Sequence, residues 1–302
     1  MRLSCGWDTF LAGGPGDTPR PAEKTGVERV PNRLPVIHLC DCRKDRYVSD
    51  PVVLITGALT GIGRATAFAY ARHGANLVVS GRHEDVGEQL ASELADLGAP
   101  AEFVRADVRF DADVRDLVDR AVARFGRIDV AFNNAGTEGT PGPVTEVTDE
   151  AYQATFDTNV KGTLLCLKHE FRVMREQSGG SIVNVSSVFG LMGYPGATLY
   201  VGSKHAVAGI TKAAALEGAA HGIRVNAVAP GFTRTAMYER FTGDDTARDA
   251  VDAVLPMHRA GTPEEIAEAV QYLGSGKASY VTGHILTVDG GLMAGEPLFP
   301  NP

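Results

Sequence analysis

The sequence predicts a doubly wound α/β domain, a parallel sheet of about seven strands with helices on both faces, and three observations carry this reading. From residue 51 onward short β-rich runs alternate with helical patterns, as repeated βαβ units require. Gly74, Gly98 and Gly126 each follow a helical pattern, where a glycine can take the left-handed conformation that ends a helix. The stretch from Val52 to Gly63 reads as strand, glycine turn, helix.

In chain order, strands are expected at 52–55, 76–80, 102–106, 129–133, 181–186, 224–229 and 285–288. Helices are expected at 61–73, 84–97, 111–125, 149–176, 200–220 and 263–273. Right-handed crossovers then force a parallel sheet, with ligands outside the carboxyl ends of its strands. No internal repeat of fixed short period is present. Residues 1–48 do not share this rhythm. They hold five of the sixteen prolines and lack period-2 or period-3.6 patterning, so they read as a flexible extension ahead of one catalytic domain at 49–302.

With 302 residues, 44% of them hydrophobic, the chain can bury a substantial core. A net charge of -8 without any Lys/Arg run argues against nucleic acid or an anionic membrane surface as partner. The apolar runs are strand-sized and fall short of the about eighteen residues a membrane span needs. Asp8 sits where a signal peptide would need its apolar core, and Cys5, Cys40, Cys42 and Cys166 are too few for a disulfide framework. The expectation is a cytoplasmic protein. His38, Cys40 and Cys42 lie close together without the spacing or fourth ligand of a zinc site, so no metal is expected.

The glycine turn comprises Thr56-Gly57-Ala58-Leu59-Thr60-Gly61-Ile62-Gly63. Gly57 permits the tight turn, Gly61 lets a pyrophosphate approach the backbone, and Gly63 lets the helix lie close to the sheet. Free N–H groups at the helix start suit a dinucleotide on this Rossmann-type arrangement, although the Gly-x3-Gly-x-Gly spacing departs from the commoner fingerprint. The second strand ends at Gly81-Arg82, where an NAD-selective site would carry an acid for the ribose hydroxyls. Arg82 can instead pair with a 2′-phosphate, so NADP(H) is preferred and NAD(H) is the alternative, even though Glu84 and Asp85 lie close by.

Tyr200 and Lys204 stand four residues apart and so share one helical face. Chance would place such a pair in roughly one chain in five of this composition, so its context decides. Ser187 lies thirteen residues earlier, at a strand end, and Asn159 lies in the long helical region before it. A phenol with an ordinary pKa near 10 is only about 0.1% ionised at neutral pH. Lys204, with an oxidised nicotinamide ring, would supply positive charge to lower it, and Ser187 could hydrogen-bond the substrate oxygen. His205 points about 100° away from Lys204 and is not a candidate. Cys166, in an apolar helical run, reads as a core thiol.

Taken together, the glycine turn, Asp107-Val108, Asn133-Asn134-Ala135-Gly136, Asn159, Ser187, Tyr200-x3-Lys204 and Pro230-Gly231 resemble the main group of the short-chain dehydrogenase/reductase family over about residues 50–293. The resemblance implies an NAD(P)-dependent oxidoreductase acting on a secondary alcohol or ketone. By the same resemblance Tyr200 is the general acid/base, Lys204 lowers its pKa and binds the nicotinamide ribose, Ser187 steadies the substrate oxygen, and Asn159 holds a water in a proton relay. It also implies that Thr60 and Ile62 belong with Gly57, Gly61 and Gly63 to the cofactor turn. Asp107 and Val108 flank the adenine, Asn134, Ala135 and Gly136 line the cleft, and Pro230, Gly231, Thr233 and Thr235 contact the nicotinamide end. The N-terminal extension is foreign to the family pattern.

Residues 235–255 have the length and mixed polarity of a mobile lid, with Met237, Tyr238 and Phe241 covering the site. Glu138, Phe189, Met192 and Tyr194 would shape the pocket of a medium-sized alcohol or ketone. The resemblance further implies a homotetramer. Two rival readings stand beside this one: a non-catalytic dinucleotide-sensing regulator, and a same-fold enzyme with other chemistry such as enoyl reduction or epimerisation.

Overall fold

A computed structural model describes residues 50–295. The extension expected at 1–48, with His38 and three of the four cysteines, lies outside these residues. Seven strands form one sheet: β1 (Val52–Thr56), β2 (Asn76–Gly81), β3 (Ala101–Arg105), β4 (Val130–Asn133), β5 (Gly180–Val185), β6 (Ile223–Pro230) and β7 (Ile285–Val288). Their order is β3-β2-β1-β4-β5-β6-β7 and every pairing is parallel. The order reverses between β1 and β4, which opens a crevice at their carboxyl ends.

The helices are α1 (Gly61–Ala71), α2 (Glu84–Asp96), α3 (Asp111–Phe125), α4 (Asp149–Phe156), α5 (Gly162–Glu176), α6 (Thr198–Ala219), α7 (Ala236–Thr242), α8 (Asp245–Val254) and α9 (Pro263–Gly274). Successive strand residues point to opposite faces, so both faces need cover. Val53 and Ile55 of β1 join a core with α1, α2 and α9. Leu54 between them joins the opposite core, against α3, α5 and α6. Gly74, Gly98 and Gly126 all have positive φ, as their place after a helix requires.

Two expectations change. The helix expected over 149–176 is interrupted at Asp157–Lys161, which turn as a π-helix between α4 and α5. The lid segment is not irregular but folds as α7 and α8, broken at Gly243 with a φ of 80°. Among the described residues no helix is long and apolar enough to cross a membrane.

Candidate active site

At the carboxyl edge of the sheet lies a cavity of about 700 Å³. Every catalytic and cofactor-binding residue singled out from the sequence lines it except Gly63 and Asn159, which stand directly behind its wall. The glycine turn is bolted to the segment after β4. Thr56 Oγ1 accepts the N–H groups of Asn134 and Ala135, both at 3.2 Å, and the Asn134 amide donates to the carbonyls of Thr56 (3.2 Å) and Gly57 (2.8 Å). Such proximity leaves no room for side chains. A Cβ on Gly63 would sit 2.4 Å from the Gly57 carbonyl oxygen, and one on Gly57 would sit 2.8 Å from Ala135 Cα. The turn therefore keeps bare backbone at the start of α1, a cradle suited to a pyrophosphate.

Ser187, Tyr200 and Lys204 meet at the other end of the cavity. Ser187 follows β5, and its hydroxyl accepts the Phe189 N–H at 3.1 Å, which turns residues 188–190 into a short 3₁₀ segment. Gly190, which the sequence reading passed over, lets that segment touch α6. A Cβ there would lie 2.3 Å from Ser186 Oγ and 2.7 Å from the Lys204 carbonyl oxygen. Ser186 Oγ donates to that same carbonyl at 3.0 Å, so α6 is anchored beside β5 at the level of Lys204. The Lys204 ammonium, buried, donates to the Val185 carbonyl at 2.9 Å and lies 5.6 Å from the centre of the Tyr200 ring. His205 is exposed and bonds only to its own helix.

Without the oxidised nicotinamide ring expected to act beside it, Lys204 does not acidify the phenol. Loss of water pushes Tyr200 up to about 12; the Ser187 side chain opposes the rise and the Glu138 carboxylate adds to it. Lys204 is itself pushed down to about 8 by burial. The physical reason is that the buried ammonium and the half-buried phenol both lose hydration, which disfavours the charged form of each. Without a bound cofactor the site holds Tyr200 as a neutral acid.

Asn159 does not reach the cavity. Its Oδ1 accepts the Thr137 N–H at 2.8 Å, and its amide donates to the Thr137 carbonyl (2.9 Å) and Ser203 Oγ (3.0 Å). Both amide hydrogens are committed, so a relay water could be held only through an oxygen that accepts from it. The π turn projects it between the Gly136–Thr137 segment and α6, a use of this geometry seen at functional sites. Asn133, the first residue of the Asn133–Gly136 motif, faces away from the cavity and donates to Glu170 Oε2 and Asn184 Oδ1, both at 3.0 Å, inside the core.

At the far end, Arg82 lines the cavity and makes no ion pair among the described residues. A second guanidinium that the sequence reading missed, Arg109, also lines it and grips Asp107 through Nε and Nη2 at 2.6–3.0 Å. Arg109 holds the Asp107 carboxyl below the ordinary range, and Arg82 lowers it further. Glu84 and Asp85, which could have weakened an anion site, are exposed in the first turn of α2 and outside the cavity lining. Gly81 stands where Leu59 folds over the end of β2; a Cβ would lie 2.5 Å from Leu59 Cγ. No single residue signalled Arg109, because its role depends on a loop meeting the β2 end.

The substrate end is aromatic. Phe189 packs edge-on to Tyr200 (6.4 Å between ring centres) and to Phe232 (6.0 Å), and Phe241 of α7 lies 5.9 Å from Phe232. Tyr194 stacks behind Phe189 at 4.6 Å, and Met237 and Tyr238 complete the wall. Met192, expected in the pocket, does not line it, and Phe232, directly after Pro230-Gly231, was missed. Cys166 is a buried, free thiol of the core.

Comparison with known proteins adds the following. A family model described as enoyl-(acyl carrier protein) reductase matches residues 57–293. The chain is similar to an A-factor type gamma-butyrolactone 1′-reductase (1S-forming) of Streptomyces virginiae, 45% identical over 81% of this chain and 96% of that protein. The solved structure of levodione reductase superposes with a TM-score of 0.80 and 37% identity, covering 82% of this chain and 99% of that one. The structure of ElxO with NADP bound superposes with a TM-score of 0.77 and 33% identity, over 82% of this chain and 100% of that one.

Proposed function

Because the chain belongs to the short-chain dehydrogenase/reductase family and is an NAD(P)-dependent oxidoreductase, we propose that it interconverts a ring-bearing ketone and its secondary alcohol with NADP(H), using Tyr200 as the proton donor and acceptor. The observation that carries this is the meeting of Tyr200, Lys204 and Ser187 in one cleft whose other end is the bare-backbone cradle of the glycine turn. That cradle, together with the unpartnered Arg82, fits a phosphorylated dinucleotide. When bound, the nicotinamide supplies or accepts the hydride and, oxidised, brings a positive charge that favours phenolate.

In the direction of reduction, Ser187 steadies the carbonyl oxygen and the Tyr200 hydroxyl gives it a proton as negative charge develops. Lys204, largely protonated at neutral pH with its pKa near 8, stabilises the resulting phenolate and offers its remaining hydrogens to the nicotinamide ribose. Asn159 acts through position, holding Thr137 and hence that wall of the cavity. The remaining cofactor contacts are read as on the sequence: Gly57, Thr60, Gly61, Ile62 and Gly63 at the pyrophosphate, Asp107 and Val108 at the adenine, Asn134, Ala135 and Gly136 in the cleft, and Pro230, Gly231, Thr233 and Thr235 at the nicotinamide.

Aromatic walls favour flat or cyclic substrates over charged, flexible ones, and the gamma-butyrolactone named for the Streptomyces virginiae relative is cyclic. Following reduced-nicotinamide absorbance over a panel of cyclic ketones, open-chain ketones and an enoyl thioester tests the reading. Turnover of cyclic ketones is expected to exceed both other classes; preferential turnover of the enoyl thioester would return the enzyme to the chemistry named in the family model.

For the cofactor, Arg82→Ala is expected to weaken NADP(H) about tenfold or more, since a charge-assisted contact is worth roughly 1.5–3 kcal/mol. NAD(H) affinity should not change. Fluorescence titration with both dinucleotides reads this directly, and equal affinity for NADP(H) in variant and native protein overturns the assignment. We also assign a cytoplasmic homotetramer with the catalytic unit at 49–302, an assignment resting on family resemblance and cysteine usage; light scattering in solution checks the assembly.

A further inference from the structure

The lid is held to the rest of the site by few groups. No residue of α8 is buried, and α7 buries only Tyr238. Phe241 of α7 touches Phe232 and Tyr194, and Asp252 of α8 accepts the Ala260 N–H at 2.7 Å, close to where the segment rejoins the body. One ion pair among the described residues crosses the mouth of the cleft: Arg240 Nε of α7 to Glu138 Oε1, at 2.7 Å, between residues 102 apart in sequence. Glu138 follows Thr137, which Asn159 clamps, so its end of the pair stands on a rigid wall.

Glu138 is also the one carboxylate that acts on the phenol. Burial pushes its carboxyl up, but the Arg240 guanidinium and a backbone N–H together more than offset this and hold it below the ordinary value. Its negative charge in turn raises Tyr200. The other groups facing Tyr200 have been named: Lys204 on its own helix α6, uncharged Ser187 and Phe189 after β5, and Phe232 after β6. From α4 and the π turn, Ala154 and Thr158 face the cavity, and neither is charged. Glu138 is therefore the charge that raises this hydroxyl, and Arg240, paired with it, is placed to offset that charge.

We propose that the Glu138–Arg240 ion pair is a latch that holds α7 over the substrate, and that its closure shields Tyr200 from the Glu138 carboxylate. Arg240 is then a positioning residue that couples lid closure to proton transfer. With the lid open, an unscreened carboxylate holds the phenol protonated more strongly; with the lid closed, as here, Arg240 offsets part of that charge, and the remainder still raises Tyr200. The coupling rests on Tyr200 being the acid/base of the proposed reaction, whereas the latch itself does not.

Two variants separate these parts. Amide hydrogen exchange over residues 236–254 is expected to speed up about two- to fivefold in both Arg240→Gln and Glu138→Gln, the scale of one partly exposed ion pair. The pH at half-maximal alcohol oxidation should move in opposite directions, upward in Arg240→Gln, which leaves the carboxylate unscreened, and downward in Glu138→Gln, which removes it. A merely structural role would move both profiles together. Unchanged exchange in both variants overturns the latch, and parallel pH shifts overturn the coupling. If the native protein turns over no alcohol or ketone, the catalytic reading fails while the exchange measurement still decides the latch.

Discussion

Tyr200→Phe is expected to lower kcat by about a thousandfold while leaving dinucleotide affinity within about twofold of native. General acid/base groups contribute on the order of 10²–10⁴ in rate, and this phenol is the hydroxyl that faces Ser187 with no other proton donor of comparable placement beside it. The substitution removes one oxygen and retains the ring, so the edge-on contact with Phe189 at 6.4 Å survives and the pocket keeps its shape. Steady-state rates together with fluorescence titration of the cofactor separate the two effects. Full activity in this variant would remove Tyr200 from the mechanism, and loss of cofactor binding would show that the ring positions the dinucleotide instead. Since the protein alone holds the hydroxyl near 12, reduction should require no prior deprotonation of Tyr200, whereas oxidation should depend on bound cofactor to bring the phenol into range.

The second large effect concerns stability. Glu170 of α5 is fully buried, and burial pushes its carboxyl up to about 8, with the Asn133 amide opposing the rise. Its Oε1 and the Asn133 Oδ1 both lack partners, although the same two side chains are joined at 3.0 Å through Nδ2 and Oε2. A proton on Oε1 turns that atom into a donor, and Asn133 Oδ1 is the unpaired acceptor on the facing amide. The network continues through Asn184 to Thr211 of α6 at 3.0 Å, so β4, β5, α5 and α6 depend on it.

The sign follows from linkage. Below the ordinary carboxylate pKa of 4.5 both folded and unfolded chains carry the proton, and the favourable contribution is fully present. Between 4.5 and about 8 the unfolded chain releases the proton and the folded chain retains it, so stability falls as pH rises. Through that window the total loss is on the order of 5 kcal/mol. Glu170→Gln keeps the shape, supplies a permanent donor and has nothing to titrate. Thermal unfolding at pH 5 and pH 8 should therefore show a smaller pH dependence in the variant, with the variant the more stable at pH 8. Identical pH dependence in the two proteins would mean that Glu170 is ionised in the fold and that its partner has yet to be found.

How much of this was legible beforehand differs from residue to residue. The Tyr200 and Lys204 pair was readable because four residues is one helical turn, and Ser187 because it ends a strand in a sheet whose topology puts ligands there. The glycine turn was readable because its glycines serve a local backbone need. Asn159 was found, but its use was not: the helix around it was expected to be regular, and the π turn that aims its amide at Thr137 and Ser203 leaves no mark in the hydrophobic period. Glu170 carried no local signal, because its burial depends on which helix face meets Asn133 of β4. Arg109, Gly190 and Phe232 were passed over, since each matters only through a neighbour from a distant segment.

Local pattern thus determined the doubly wound sheet, its seven strands and the glycine turn, because period, turn chemistry and short spacings act within a few residues of chain, whereas the chemical class of the reaction was read from the ordered motifs' resemblance to the short-chain dehydrogenase/reductase family. Tertiary structure alone decided the charge state of the reacting groups, the pairing of Glu138 with Arg240 and the burial of Glu170. Those depend on how much water each group loses and which charge faces it, and both are set only when segments a hundred residues apart come within hydrogen-bonding distance.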